Sequence, residues 1–238
     1  AAGVKPDDSK LLTSKDPRSL ALHWLEKTQS KEGRRLLHFV FSRWYRWNGS
    51  RYERLATEQL REELADYFDG REARVPKRDE GRRIEPIKAI KHFVEELLFS
   101  LQGRCFVSVE PHTHEPFFIA TGKSMDLTRA VVFRNGILDV TTDVLSPLTP
   151  DIFLTSTLPY DYNPKARCDN FVGFGDFCFA KDADSLALLQ EWAGYCMIAD
   201  NSFESILFLI GAPGSGKSTV LTVLEAVLGS DRCTTLEL

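Results

Sequence analysis

Eight residues, Gly211-Ala-Pro-Gly-Ser-Gly-Lys-Ser218, fit the pattern G-x-x-x-x-G-K-[ST], and their surroundings restrict what the chain can build there. The apolar run Ile206-Leu-Phe-Leu-Ile210 before them predicts a strand buried on both faces of a parallel sheet. After them, Ser218 to Leu228 places Val220, Leu221, Leu224 and Leu228 on one side of a helix, with Gly229 as its stop. Strand, glycine-rich turn and helix in that order aim backbone amides at an anion. Gly211, Gly214 and Gly216 let the chain curl where a Cβ would obstruct it. The helix start adds its positive dipole end and unpaired N–H groups. Gly211, Ala212, Pro213, Gly214, Ser215, Gly216, Lys217, Ser218 and Thr219 are therefore the predicted nucleotide site. Lys217 is expected to reach the β- and γ-phosphates, and the Ser218 hydroxyl to help hold Mg²⁺. These two are the candidate catalytic residues, Ser218 is the candidate metal ligand, and the cofactors implied are ATP and Mg²⁺.

Only 20 residues follow Ser218. A doubly wound nucleotide-binding sheet needs several more strands and helices. There is no room for a second acidic strand to complete the Mg²⁺ shell, nor for a water-activating residue or an arginine finger. The expectation is that the chain holds the first β-loop-α unit of an ATPase domain, is an internal piece of a longer protein, and is inactive by itself.

With 43% hydrophobic residues, the 238-residue chain can form one large domain or two small ones. No apolar run approaches the ~18 residues of a membrane span, and no basic-then-apolar leader opens the sequence. Cys105, Cys168, Cys178, Cys196 and Cys233 are scattered and never in C-x-x-C spacing, which argues against a zinc site or a disulfide framework. A reducing cytoplasm is the expected compartment. His112-Thr-His114 has no further ligand at metal-site spacing and reads as an ordinary loop. The net charge of −4 is unevenly divided: residues 1–91 carry +6 and residues 92–238 carry −10. A polyanion partner would meet the first of these.

The chain is expected to be α+β, in four parts. Residues 1–18 read as a linker. Residues 19–103 read as an α+β module of winged-helix type, residues 104–180 as a β-rich region, and residues 181–238 as a helix leading into the truncated start of an α/β phosphate-loop domain. In the first module, Ser19 to Thr28 reads as a helix with Leu20, Leu22, Trp24 and Leu25 as its apolar residues. Asn48-Gly49 predicts a two-residue hairpin turn that sets Tyr45 opposite Tyr52, with Trp47 on the same face and Arg46 beside Arg51 on the other. A helix capped by Thr57 and running to Phe68, a charged loop from Arg71 to Arg83, and a helix from Pro86 to Gln102 follow. The two helices are expected to bury Leu60, Leu64, Ile90, Val94 and Leu97 against each other. Asn135-Gly136 predicts a second hairpin, pairing Phe133 with Leu138 and Val131 with Val140, and a helix is expected from Asp184 to Ile198.

Several of these words occur together in one family. Phe133-Arg-Asn-Gly-Ile-Leu-Asp139, Leu158-Pro-Tyr-Asp-Tyr162, Glu191-Trp-Ala-Gly-Tyr-Cys196 and Leu207-Phe-Leu-Ile-Gly211, followed by Gly-Lys-Ser-Thr at 216–219, resemble the superfamily 3 helicase region of phage and plasmid primase-helicases, related to the poxvirus primase-helicase. Leu22-His-Trp-Leu25 and Tyr45-Arg-Trp-Asn-Gly49 look like the pre-helicase domain of those proteins. The resemblance covers nearly everything from about residue 17 to 238. It implies an ATP-driven DNA-unwinding motor, AAA+-like in its ATPase domain and active as a homohexameric ring, with a primase joined upstream in many members. The implied setting is DNA replication in a cytoplasm, that of the host cell for a phage. Of the family's motifs only the first phosphate-binding one is present, and Ser215 stands where members often have Asn.

Arg46, Arg51, Arg71, Arg74, Lys77, Arg78, Arg82 and Arg83 are the candidate DNA-binding residues, single-stranded or forked DNA being the substrate the resemblance implies. In the loop from Arg71 to Arg83 they are interleaved with Glu72, Asp79, Glu80 and Glu85, which suits a solvated, self-compensating loop somewhat better than a DNA-tracking one. The aromatic face of Tyr45, Trp47 and Tyr52 suits packing more than base stacking. Two other functions stay open on the sequence: a small-molecule or polynucleotide kinase built on the same loop, and a DNA-binding or oligomerisation module with no activity of its own.

Overall fold

A computed structural model describes residues 11–76, 82–179, 182–198 and 202–234. The chain forms two compact units. One takes residues up to 125 together with 149–155, and the other takes 126–148 together with 156 onward. Both units draw on the stretch between 104 and 180.

In the first unit, helix α1 (Pro17–Lys27) starts where Asp16 accepts the Ser19 N–H and Pro17 supplies a preset φ at the first position. Its face of Leu20, Ala21, Trp24 and Leu25 is buried, while Leu22 points outward. Of the segment expected to be a linker, residues 1–10 lie outside the described residues, while Leu12 is buried and bridges Ala73. Strands β1 (Leu37–Val40), β2 (Arg43–Trp47) and β3 (Tyr52–Leu55) form an antiparallel sheet. Between β1 and β2 the turn is Phe41-Ser42, with φ of 48° and 61°, a left-handed pair without glycine that the sequence reading does not anticipate.

The Asn48-Gly49 turn is present but longer than expected. Trp47 pairs with Tyr52, Arg46 with Glu53 and Tyr45 with Arg54, so the register differs by two residues from the predicted one. The Asn48 side chain accepts from the N–H groups of Ser50 and Arg51 and thereby widens the loop. A shift of two keeps every side chain on its own face. Tyr45, Trp47 and Tyr52 accordingly share one face and pack with Val40, Val107, Phe117 and Phe153. Tyr52 is fully buried, stacks on Phe153 and donates to the Pro150 carbonyl. This face is core.

The opposite face of the sheet lies on the helices. Helix α2 (Thr57–Phe68) begins one residue earlier than a Thr57 cap would set it: Ala56 is the cap residue and makes no side-chain bond. The expected charged loop is instead a ribbon of β4 (Glu72–Pro76) and β5 (Arg82–Pro86). Pro86 ends β5, opposite Glu72, and the helix predicted to start there starts later, as α3 (Lys91–Cys105). The Ile87 N–H bonds the Arg71 carbonyl and the Gly70 N–H bonds the Ile87 carbonyl, which holds that stretch extended. Leu60, Leu64, Val94 and Leu97 are buried together as expected, each side chain worth about 1.5–3 kcal/mol. Ile90, left outside the helix as its cap residue, is 62% exposed. A small sheet of β6 (Phe117–Phe118), β7 (Lys123–Ser124) and the strand Ile152–Phe153 completes the unit.

In the second unit, β8 (Ala130–Phe133), β9 (Gly136–Asp139) and β10 (Val144–Ser146) form a meander. Here the turn is Arg134-Asn135, and Val131 pairs with Leu138 and Phe133 with Gly136, again two residues from the predicted register. Val131, Phe133 and Leu138 still share the buried face, with Leu158, whereas Val140 is exposed. Three helices follow: α4 (Asp169–Cys178), α5 (Ala183–Tyr195) and α6 (Lys217–Leu228), the last ended by Gly229 at φ 93°. The helix expected to reach Ile198 stops at Tyr195. The segment Ile206 to Ile210 is not a strand. A parallel strand needs neighbours for its N–H and C=O groups, and none lies beside it among the described residues. Ile206, Phe208 and Ile210 are 75%, 76% and 93% exposed.

Candidate functional site

Two places gather the residues singled out by the sequence, one in each unit. In the second unit, Gly211 to Thr219 wraps the start of α6. Gly214 and Gly216 have φ of 79° and 90°. Gly216 is the residue preceding the helix, and a Cβ there would lie 2.7 Å from the Cys178 Sγ and 2.9 Å from the Phe174 ring. Both its conformation and its close approach to α4 therefore require glycine. A Cβ on Gly211 would fall 2.7 Å from the Ser215 Oγ, so the loop closes on itself there.

Inside that closure sits the Lys217 ammonium. It donates to the carbonyls of Gly211 and Ala212 at 2.8 and 2.9 Å and to the Ser215 Oγ at 3.2 Å. These are neutral acceptors, and among the described residues no carboxylate makes an ion pair with Lys217. An anion entering the loop would exchange weak acceptors for a charge-assisted bond. The Ser215 N–H is taken by the Ala212 carbonyl. The first N–H groups of α6 precede the first intrahelical bond, which runs from Val220 to Gly216, and so face outward at the helix start. Ser218 and Thr219 are exposed there, and Ser218 uses its carbonyl for the Thr222 hydroxyl.

The sequence reading misses α4, because two glycines interrupt it and weaken the helical pattern. Phe171, Phe174 and Cys178 keep the spacing i, i+3, i+7, which was the available signal. Gly175 is buried where α4 meets Leu186 of α5. At the other end of α6, the Tyr160 hydroxyl donates to the Val227 carbonyl at 2.8 Å, and Arg232 donates to the Ser156 Oγ at 2.9 and 3.1 Å. Residues 158–162 also run along β8: Leu158 N–H bonds Val132, Arg134 N–H bonds Tyr160, and the Asn135 amide meets the main chain of Tyr162 from both its oxygen and its nitrogen. The words at 133–139 and 158–162 are thus neighbours in space and are tied to α6.

In the first unit, the eight basic candidates do not form one free surface. Arg46 makes a two-pronged bond to Glu63 at 2.9 and 2.5 Å, and Arg51 lies in the hairpin loop 3.4 Å from Glu53. Arg71 stacks on the Tyr67 ring at 4.0 Å. Arg83 pairs with Glu85 at 2.5 Å, and Lys15 reaches the same carboxylate at 2.8 Å. Its bond from Lys15 holds the Glu85 carboxyl below its ordinary pKa. Arg74 is exposed on the ribbon, directly across from Ile84, which is 55% exposed. Arg82 pairs through its backbone with Pro76, while Lys77 and Arg78 lie outside the described residues. Among the described residues there is no group of three or more potential metal ligands, and no helix is long and apolar enough to cross a membrane.

Comparison with known proteins places part of this architecture. A protein of the liverwort Marchantia polymorpha, named uncharacterized mitochondrial protein ymf21, is 28% identical over 113 residues, 42% of this chain. The match spans 62% of that relative's length. Residues 38–180 match the family described as D5 N terminal like. That stretch takes in the β1–β3 sheet, the ribbon, α3, the β8–β10 meander and α4, and ends before the Gly211–Ser218 loop. The chain belongs to the D5 N terminal like family, the N-terminal domain of primase-helicase proteins.

Proposed function

We propose that this chain is part of an ATP-dependent replicative DNA helicase of superfamily 3 type, from a phage or plasmid primase-helicase. The observation that carries this reading is the Lys217 ammonium enclosed by the Gly211 and Ala212 carbonyls at the start of α6. A cation held only by neutral acceptors, beside outward N–H groups, suits a polyphosphate. In this reading Gly211 to Thr219 hold the phosphates, Lys217 neutralises their charge, and the Ser218 hydroxyl offers one hard oxygen to Mg²⁺. One protein oxygen is too few for a metal shell, so phosphate oxygens and water supply the rest. Hydrolysis of bound MgATP would drive unwinding of forked or single-stranded DNA in a hexamer, with a primase upstream. Membership in a primase-helicase family supports the parent activity.

Calorimetric titration of MgATP into this chain tests the reading. Binding should be measurable and should weaken at least tenfold in Lys217→Ala, about 1.4 kcal/mol or more. Equal affinity in the two proteins would remove the loop from nucleotide binding. For the DNA part, Arg74→Glu should weaken binding to all sequences alike and flatten its salt dependence, as should charge reversal at Arg78 and Arg82. Arg46→Ala should leave it unchanged, since Arg46 is committed to Glu63.

A further inference from the structure

The turn between β1 and β2 carries an aromatic ring where glycine or asparagine would sit with less strain. Phe41 has φ 48° and Ser42 φ 61°. The Phe41 ring rests edge-on against Phe117 at 6.1 Å and Phe153 at 6.5 Å, yet the residue is 50% exposed. Packing therefore accounts for only part of it. Arg43 closes the turn by pairing with Val40, whose side chain is buried beside Phe117 and Phe153, so Arg43 lies on that face of the sheet. Tyr45 follows two residues on, with its ring 5.0 Å from Phe153, and Arg54 of β3 stands directly across from Tyr45. Phe41, Arg43 and Arg54 thus share one corner of the first unit.

The charges at that corner are uncompensated. Arg43 and Arg54 are exposed, and among the described residues neither guanidinium makes an ion pair or a hydrogen bond. The acids close to them in the fold are already engaged. Asp151, two residues before Phe153, pairs with Arg34 at 3.1 Å, and Glu53, next to Arg54 but on the opposite face, takes Arg51 and the Asn48 amide. Arg46 on that opposite face is neutralised by Glu63. We infer that the corner of Phe41, Arg43 and Arg54 is a docking surface for single-stranded DNA, with a base stacked on Phe41 and the two guanidiniums on flanking phosphates. The inference rests on the proposed function for the class of polymer alone, and it places the contact on a surface that the Arg71–Arg83 ribbon does not include.

Charge and shape together select this occupant. An exposed ring between two free guanidiniums matches a polymer that alternates flat bases with single negative charges. A duplex offers the phosphates but keeps its base faces stacked inside, so it has no use for Phe41. An apolar protein segment would cover the ring and bury two cations without partners, which is strongly unfavourable. An acidic one would satisfy the arginines and leave the ring idle. The strained turn fits the same reading: an unfavourable φ persists where the surrounding contacts fix it, and here the Val40–Arg43 pair and the Phe117 and Phe153 rings hold Phe41 half outward.

Fluorescence anisotropy with labelled oligo(dT), oligo(rU) and a DNA duplex of equal length, titrated with the whole chain in the absence of nucleotide, tests the surface. The unaltered protein should bind oligo(dT) at least about tenfold more tightly than the duplex, a comparison that does not depend on how any variant folds. Phe41→Ala should weaken oligo(dT) binding about tenfold and leave the duplex unchanged, and Phe41→Trp should restore it. Replacing both Arg43→Gln and Arg54→Gln should lower the slope of log affinity against log salt by about 1.4, about 0.7 for each phosphate contact. Phe99→Ala, which removes an equally exposed ring from α3, should change nothing and so separates stacking from general apolar adhesion. Equal binding of oligo(dT) and duplex, no effect of Phe41→Ala, an equal loss in Phe99→Ala, or a preference for oligo(rU) beyond about tenfold would overturn the inference. If Arg74→Glu abolishes binding while Phe41→Ala does not, the ribbon is the contact and this surface falls while the proposed function stands. If MgATP fails to bind but the oligonucleotide results hold, the ATP reading falls and the surface stands.

Discussion

Acidifying the protein from pH 7 to pH 4 should reveal the cost of a buried histidine. His38 lies on β1 with 6% exposure, edge-on to the Tyr52 ring at 5.6 Å, and its Nδ1 is buried without a hydrogen-bond partner among the described residues. Burial, aided by the Arg35 charge and opposed by a backbone contact with Arg35 and by Asp151, pulls its pKa from 6.5 down to about 4. The folded state therefore resists protonation that the unfolded chain accepts. Above pH 6.5 the ring is neutral in both states and stability is complete. As pH falls from 6.5 towards 4 the unfolded state gains a proton first and stability is lost; below 4 no more is lost through this group. At 1.36 kcal/mol per pH unit the whole loss is about 3 kcal/mol, a large share of a domain's margin. Urea unfolding of wild type and His38→Phe at pH 7, 6, 5 and 4 isolates it, because the carboxylates common to both proteins cancel in the difference. That difference should be flat above pH 6.5 and then move against wild type by about 3 kcal/mol. A difference constant from pH 7 to 4 would show that His38 titrates alike in both states and would refute the argument.

Three further outcomes are expected. Ser42→Gly should stabilise the first unit by about 0.5–1 kcal/mol in a thermal melt, since the relief of a left-handed φ of 61° exceeds the entropy that glycine adds to the unfolded chain. Gly216→Ala should destabilise the second unit by about 1–3 kcal/mol and weaken MgATP binding, because φ is 90° and the new Cβ would meet Cys178 and Phe174. Differential scanning calorimetry would read the first effect and titration the second. Tyr160→Phe removes one hydrogen bond from the Val227 carbonyl; it should cost about 1 kcal/mol and speed amide exchange in the last turn of α6, and unchanged exchange there would mean that the bond does not hold the helix end.

Much of this architecture follows from local pattern. Helices α1, α2 and α6 lie close to where their apolar spacing puts them, because each has an apolar side, a start signal and a stop that act within a few residues. Both hairpins lie at their Asn-Gly dipeptides, the second turning one residue earlier than marked, at Arg134-Asn135. Their registers do not follow from that dipeptide, since an Asn side chain that bonds its own loop, or a second strand's partner, moves the pairing by two at little local cost. The buried faces survive because side chains alternate with a period of two, and hydrophobic burial fixes parity more strongly than the turn fixes length. Pro86 shows the opposite limit. Its fixed φ suits the first turn of a helix and the end of an edge strand equally, and only pairing with Glu72 decides between them. The Gly211–Ser218 loop is legible because its glycines answer to backbone geometry within eight residues. Its contact with Phe174 and Cys178, and the pairing of Arg46 and Arg83 with carboxylates, join residues far apart in sequence or choose among several nearby acids, and tertiary packing alone determined them. The sequence by itself determined which segments are apolar enough to be strands. Whether Ile206 to Ile210 becomes one depends on partners for its backbone, which no property of those five residues can supply.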